Sequence, residues 1–410
     1  MVVLGDIGRS PRMQYHALAL AGTGAEVDLI GVAGAEPFAA VRVDPAIRLH
    51  LLSEGALPRA GSGFLPLAFL RALRLGLALL TCLLRRSAPD VILVQNPPAI
   101  PTLAAALLAA RLRGTRLVID WHNFGFAMLA LRLGETHGAV RLTAWCEGAF
   151  GRRGDAHLCV SRALQRALAE RWGIEAAVLY DRPARQFVPL PPGRRDPVVR
   201  ALCRRVGFET ERRPVVVVSP TSWTADEDFA LLLDALAQCE ARLGAGPDTG
   251  ARLLVLLTGR GPLRAEYEPR LEGLPRTRVR AHAVWLPPDE YGSALAAADL
   301  GLSLHRSASG LDLPMKIADM FGAGLPVCAL DYGPCLREVV RPGENAILFA
   351  SAGDLVAHLC ALVRGDVAQA ALLARLRAGA LAAAAERWED AWAAHAAPLV
   401  LGDGAGHAAR

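Results

Sequence analysis

Two short stretches hold side chains able to do chemistry. The first is Leu117–Phe126, where an apolar run ends in Asp120, Trp121, His122 and Asn123. A histidine at a strand's carboxyl end, two residues after a carboxylate, can serve as general base with the acid orienting it. The same pair also fits a structural histidine satisfied by its neighbour. The second is His305–Leu330. A small-residue loop with Ser309, Gly310 and Asp312 leads into a helix carrying Lys316 and Asp319. Three residues apart, those two lie on one helix face. The cation suits a phosphate and the acid suits ribose hydroxyls. Of 45 basic residues Lys316 is the only lysine. Against an otherwise all-arginine repertoire, it argues for a compact ammonium at that position.

Three further stretches follow apolar runs. Thr258–Arg264 places Arg260 between glycines, with Gly261 after it, a pattern suited to phosphate. It is also an ordinary glycine-rich turn. In Ser219–Phe229, Thr224 is expected to cap a helix with Asp226, Glu227 and Asp228 in its first turn. That leaves Ser219, Thr221, Ser222 and Trp223 to touch a ligand. In Gly5–His16, Gly8 permits a tight turn, and Ser10 caps a helix with Pro11 at its first position. Arg9 and Arg12 would then lie beside an anion at that helix's start, and the same spacing fits a capped helix in an ordinary turn. The dinucleotide pattern GxGxxG is absent here.

These stretches need a scaffold that brings strand ends together. Short apolar runs alternate with helical patterns throughout, which predicts α/β architecture with parallel sheets covered on both faces. Residues 1–185 form one Rossmann-like doubly wound domain and 214–386 a second. The proline- and arginine-rich 186–213 is expected as a linker. The tail 387–410, with Trp388 and Trp392 four residues apart, is expected to pack back across the domain junction. Ligands in such sheets sit at the strands' carboxyl ends, in a cleft between the two domains. A hydrophobic content of 53% excludes a disordered chain, and a net charge of +5 with no dense basic block interleaved with aromatics does not point to a nucleic-acid binder. Eight scattered cysteines show no metal spacing and read as buried hydrophobes in a reducing compartment. Phe64–Arg86 is apolar except for a stripe that includes Arg71, Arg74 and Arg85. The arginines come too early for a spanning helix, and the pattern suits a membrane interface.

Taken in order, "GDIGRSPRMQYHA", "QNPPAIP", "LVIDWHNFGF", "YDRPA", "TSWTADEDF", "TGRGPL" and "SGLDLPMKIADMFG" resemble the chitobiosyldiphosphodolichol beta-mannosyltransferases over nearly the whole chain. The resemblance implies a glycosyltransferase-B fold. It also implies transfer of mannose from GDP-mannose to dolichol-linked chitobiose, with inversion to a beta-1,4 linkage, on the cytosolic face of the endoplasmic reticulum. The donor would contact Ser222, Arg260, Gly261, Ser309, Gly310, Asp312, Lys316 and Asp319. His122, then Asp120, would be the base. Gly8, Arg9, Ser10, Arg12 and His16 would serve the acceptor or its phosphate, and Arg71, Arg74 and Arg85 would face the membrane. The LPMKIAD stretch departs from related nucleotide-sugar motifs in having Asp319 where Glu is usual. Leu311 stands where an acid is usual, so Asp312 is expected to serve instead. No cofactor beyond GDP-mannose is expected, and no metal ligands are indicated. Other mannosyltransferases of the pathway are expected partners. The family carries an N-terminal membrane anchor, so association is expected to be peripheral or through a segment outside this sequence. The rival readings are another nucleotide sugar or acceptor on the same fold, and a non-catalytic paralogue that binds pathway enzymes.

Overall fold

The computed structural model describes residues 1–52, 65–191, 193–208, 210–245, 250–274 and 277–402, without the side chains of 65–69. Phe64 of the apolar stretch and the tail beyond 402 lie outside the described residues. The chain divides into two units, Met1–Asp181 with Trp388–Arg410, and Arg182–Arg387.

The first unit is built on a parallel sheet ordered β3-β2-β1-β4-β5-β6-β7. The strands are β1 Val2–Asp6, β2 Val27–Val32, β3 Ile47–Leu52, β4 Val91–Asn96, β5 Arg116–Trp121, β6 Ala156–Cys159 and β7 Ala177–Val178. The helices are α1 Pro11–Gly22, α2 Ala39–Val43, α3 Leu65–Leu84, α4 Thr102–Arg113, α5 Gly125–Leu133, α6 Gly138–Gly151 and α7 Arg162–Trp172. Leu117, Val118, Ile119 and Trp121 of β5 are all buried, as a parallel strand covered on both faces requires. Strand order reverses at β1, which lies between β2 and β4. That switch point is where doubly wound sheets open a crevice at their strand ends. The C-terminal helical segment Trp388–Leu401, with a π-turn over Trp392–Ala396, completes this unit and buries both tryptophans.

The second unit repeats the plan with strands ordered β10-β9-β8-β11-β12-β13. They are β8 Val215–Pro220, β9 Leu253–Thr258, β10 Val279–Val284, β11 Leu300–Ser303, β12 Val327–Leu330 and β13 Ala346–Phe349. Its helices are α8 Arg195–Arg205, α9 Phe229–Gly244, α10 Arg264–Glu272, α11 Pro288–Ala297, α12 Met315–Gly322, α13 Ala352–Arg364 and α14 Val367–Ala383. The residues of β8 and β9 are almost all buried, and they meet α9 and α13 in one apolar core.

The stretch expected as a linker belongs to the second unit and contains α8. Proline is tolerated in a helix's first turn, so Pro197 does not break it. Val199, Leu202 and Cys203 are buried, and Arg195 reaches Asp299 Oδ1 at 3.1 Å. Among the described residues Val367–Leu401 has the length and mean hydropathy, 1.3, of a membrane-crossing helix. Its helix is broken between Ala383 and Trp388.

Candidate active site

Asp120 is completely buried where β5 ends, and its two oxygens are crowded. Arg12 donates to both, Nε to Oδ2 at 2.8 Å and Nη2 to Oδ1 at 3.0 Å. His16 Nε2 lies 3.1 Å from Oδ2, and His122 Nε2 lies 2.7 Å from the same oxygen. Arg12 also donates to Asp181 Oδ1 at 2.8 Å and to the Leu179 carbonyl at 2.9 Å. Burial alone would raise the Asp120 pKa, but Arg12 and His122 outweigh it and hold the carboxyl well below its ordinary range. Burial pushes His16 down, so it is neutral. Trp392 donates Nε1–H to His16 Nδ1 at 2.9 Å, and Trp388 packs edge-on to His16 and under the Arg12 guanidinium.

His122 differs from its neighbours in keeping about a fifth of its side chain exposed. With Nε2–H donated to ionised Asp120, Nδ1 carries the lone pair. An imidazole held through Nε2 on a carboxylate, at a partly exposed strand end, can accept a proton at Nδ1.

In the second unit Lys316 Nζ lies 3.1 Å from Glu227 Oε1, with Glu227 almost wholly buried. The other oxygen of Glu227 accepts from the Thr221 hydroxyl and from the backbone N–H of Ser222 at 3.0 Å. Gly259 and Gly261 lie against this loop. A Cβ on Gly261 would sit 1.7 Å from the Ser222 carbonyl oxygen, and one on Gly259 would sit 1.9 Å from that of Thr221. Only glycine fits either place, and the fit keeps Ser222, Gly261 and Arg260 together. Arg260 lies over the Trp285 ring, 4.0 Å from its centroid.

Beside this loop, His305 bridges Asp226 Oδ2 at 3.2 Å and Asp312 Oδ2 at 3.1 Å. Burial would lower the His305 pKa, but the two carboxylates push it up to about 9. Asp312 also accepts from the Ser307 hydroxyl, which in turn receives the Gly310 N–H at 2.8 Å. Ser309 Oγ accepts from the Leu311 N–H at 3.1 Å. The loop entering α12 is therefore held by its own side chains. Among the described residues no three of His, Cys, Asp and Glu converge to hold a metal ion.

Comparison with known proteins decides the class of this chemistry. The family model described as "Glycosyl transferase 4-like domain" matches residues 8–180, and "Glycosyl transferases group 1" matches 213–365. The chain is 37% identical to the human chitobiosyldiphosphodolichol beta-mannosyltransferase over 98% of its own length and 92% of the relative's. With the Yarrowia lipolytica protein of that name it shares 37%, covering 97% and 85%. The chain belongs to the chitobiosyldiphosphodolichol beta-mannosyltransferase family. It is a glycosyltransferase. It is also 38% identical to the UDP-glycosyltransferase TURAN of Arabidopsis thaliana, over 98% and 96%. Among solved structures, sucrose-phosphate synthase of Thermosynechococcus elongatus aligns with a TM-score of 0.64 at 16% identity, over 96% and 92%. A trehalose-phosphate synthase of Burkholderia vietnamiensis gives 0.58 at 13%, over 96% and 98%. These likenesses show the glycosyltransferase-B fold.

Within that family frame several expected site residues stand elsewhere. Arg12 and His16, expected beside the acceptor or its phosphate, are 1% and 0% exposed and are bound to Asp120. Ser10 makes no side-chain cap, donating instead to the Asp6 carbonyl, and Asp6 takes the Gly8 N–H at 2.9 Å. Arg9 is half exposed and 3.6 Å from Asp6. Asp120, expected as the second candidate for the base, is 0% exposed and held by Arg12, His16 and His122. Thr224 is not the cap of α9; Asp228 is, accepting from Leu231 N–H at 3.0 Å. Trp223 is fully buried and stacked on Phe229, with φ of 53°. Lys316 pairs with Glu227, a residue that sequence alone assigned to the helix's first turn. Arg74 of α3 and Arg85, just past its end, are exposed, and Arg71 is partly buried.

Proposed function

We propose that the chain transfers mannose from GDP-mannose to chitobiosyldiphosphodolichol, with inversion to a beta-1,4 linkage, at the cytosolic face of the endoplasmic reticulum membrane. The single observation carrying this reading is the chain-long identity with proteins named for that acceptor and that sugar. The geometry supports the chemistry. His122 Nδ1 takes the proton of the acceptor hydroxyl as its oxygen bonds to the anomeric carbon. The bond from that carbon to the diphosphate breaks, and its electron pair leaves on the GDP oxygen. Asp120 stabilises the imidazolium that forms. Lys316 and Arg260 supply positive charge for the leaving diphosphate. Ser222, Gly261, Ser309 and Gly310 line the donor site through backbone and hydroxyl groups, and Asp312 and Asp319 serve the sugar or ribose. The first unit holds the acceptor and the second the donor.

A trisaccharide lipid from labelled GDP-mannose and chitobiosyldiphospho-phytanol is the expected product. Folded protein that binds GDP but gives none would overturn the reading. The name of the Arabidopsis relative favours one rival, a UDP-sugar donor. Greater thermal stabilisation by UDP than by GDP would support that rival, because a ligand specific to the native state raises its stability.

A further inference from the structure

Helix α5 is nine residues long, GFAMLALRL, and all but Arg132 are non-polar, yet none is buried. It packs on α6, which packs on α4, which packs on α3. Large apolar side chains are exposed along this whole layer. They are Leu73 and Leu77 of α3, Leu108 and Leu112 of α4, Met128 and Leu131 of α5, and Leu142 and Trp145 of α6. Leu131 and Trp145 are 64% and 62% exposed. Arg111, Arg132 and Arg141 are exposed beside them. The four helices contain one acidic residue, Glu147, and it is buried, receiving Asn96 Nδ2–H and the Gly125 N–H. An apolar surface edged by Arg111, Arg132 and Arg141, with the exposed Glu135 of the α5–α6 turn as an acid among them, carries net positive charge and is complementary to a bilayer with anionic headgroups.

We infer that α5 and α6 form a second membrane-docking edge, with Trp145, Leu142 and Leu131 entering the headgroup region and Arg132 and Arg141 pairing with lipid phosphates. This extends the lipid contact well beyond the α3 arginines that the sequence pointed to. It rests on the proposed function only in needing a membrane substrate nearby.

The test is flotation of the full chain with phosphatidylcholine vesicles, with and without phosphatidylinositol. The native chain should float with the anionic vesicles and far less with the neutral ones. Leu142→Gln/Trp145→Gln and Arg132→Glu/Arg141→Glu should each lower flotation by about tenfold or more. Both should keep the native melting temperature and the turnover of a short-chain acceptor in detergent. The charge-reversed chain also serves if the apolar variant misfolds. Native-like flotation of the folded variants would overturn the inference and assign the surface to a protein partner. Flotation requires neither donor nor acceptor, so its outcome is separate from that of the transferase assay.

Discussion

Trp392 Nε1 stands 2.9 Å from His16 Nδ1. An indole nitrogen only donates, so His16 Nδ1 must accept and its proton must lie on Nε2. That proton points at Asp120. The C-terminal segment thereby sets the hydrogen-bond state of the carboxylate that orients His122. Trp392→Phe keeps the ring but removes the donor. It should cost about 1–3 kcal/mol of stability for the unsatisfied nitrogen, read by denaturant unfolding. It should also lower kcat more than it raises KM, because it disturbs the proposed base, His122, and not the proposed donor contacts. A change in KM alone would contradict this.

His122 and Asp120 should respond differently to neutralisation. His122→Gln keeps a side chain that can still donate to Asp120, so stability should change little while kcat falls by about 100- to 10,000-fold. Asp120→Asn removes one of the two carboxylates on buried Arg12, leaving Asp181, and should destabilise by about 3–5 kcal/mol. Equal destabilisation by both would mean that His122 is a structural histidine.

The pH dependence of the second unit should carry His305. Its folded pKa, about 9, lies above the ordinary histidine value. Its contribution to stability is therefore fully present below about pH 6.5 and disappears as pH rises through 9. His305→Gln should be less stable than the native chain at pH 6, and the difference should shrink by pH 10, as followed by melting temperature. A difference constant with pH would remove the charged bridge from Asp226 and Asp312.

What could be read from the sequence tracks how local each signal is. The strands were legible because β5, β8 and β9 are buried on both faces and read as unbroken apolar runs. Asp120 and His122 were legible because they close such a run. The ties of Arg12 and His16 to Asp120 were not legible, because that partner is more than a hundred residues away. Nothing local distinguishes a phosphate loop from an arginine fixed to a distant carboxylate. Glu227 was hidden among Asp226 and Asp228, where helix capping explained all three acids. Only packing assigns Asp228 to the cap, Asp226 to His305 and Glu227 to Lys316.

That last pairing gives the lone lysine its prediction. Glu227 is nearly buried and already accepts from Thr221 and Ser222, so it presents one oxygen to a single ammonium at 3.1 Å. An arginine there would carry a planar fork that seeks two oxygens. It would compete with Thr221 and Ser222 for Glu227 and displace the loop that Gly259 and Gly261 pack against. Lys316→Arg should therefore weaken use of the proposed donor, GDP-mannose, severely, with kcat/KM falling about tenfold for each 1.4 kcal/mol of lost transition-state binding. Lys316→Ala should lose at least as much, and should also leave Glu227 without its counter-charge and lower the melting temperature. Glu227→Gln paired with Lys316→Arg should recover part of the fold stability but not the activity. Near-native KM and kcat in Lys316→Arg would show that the site needs only a positive charge, and that the lysine has no role an arginine could not fill.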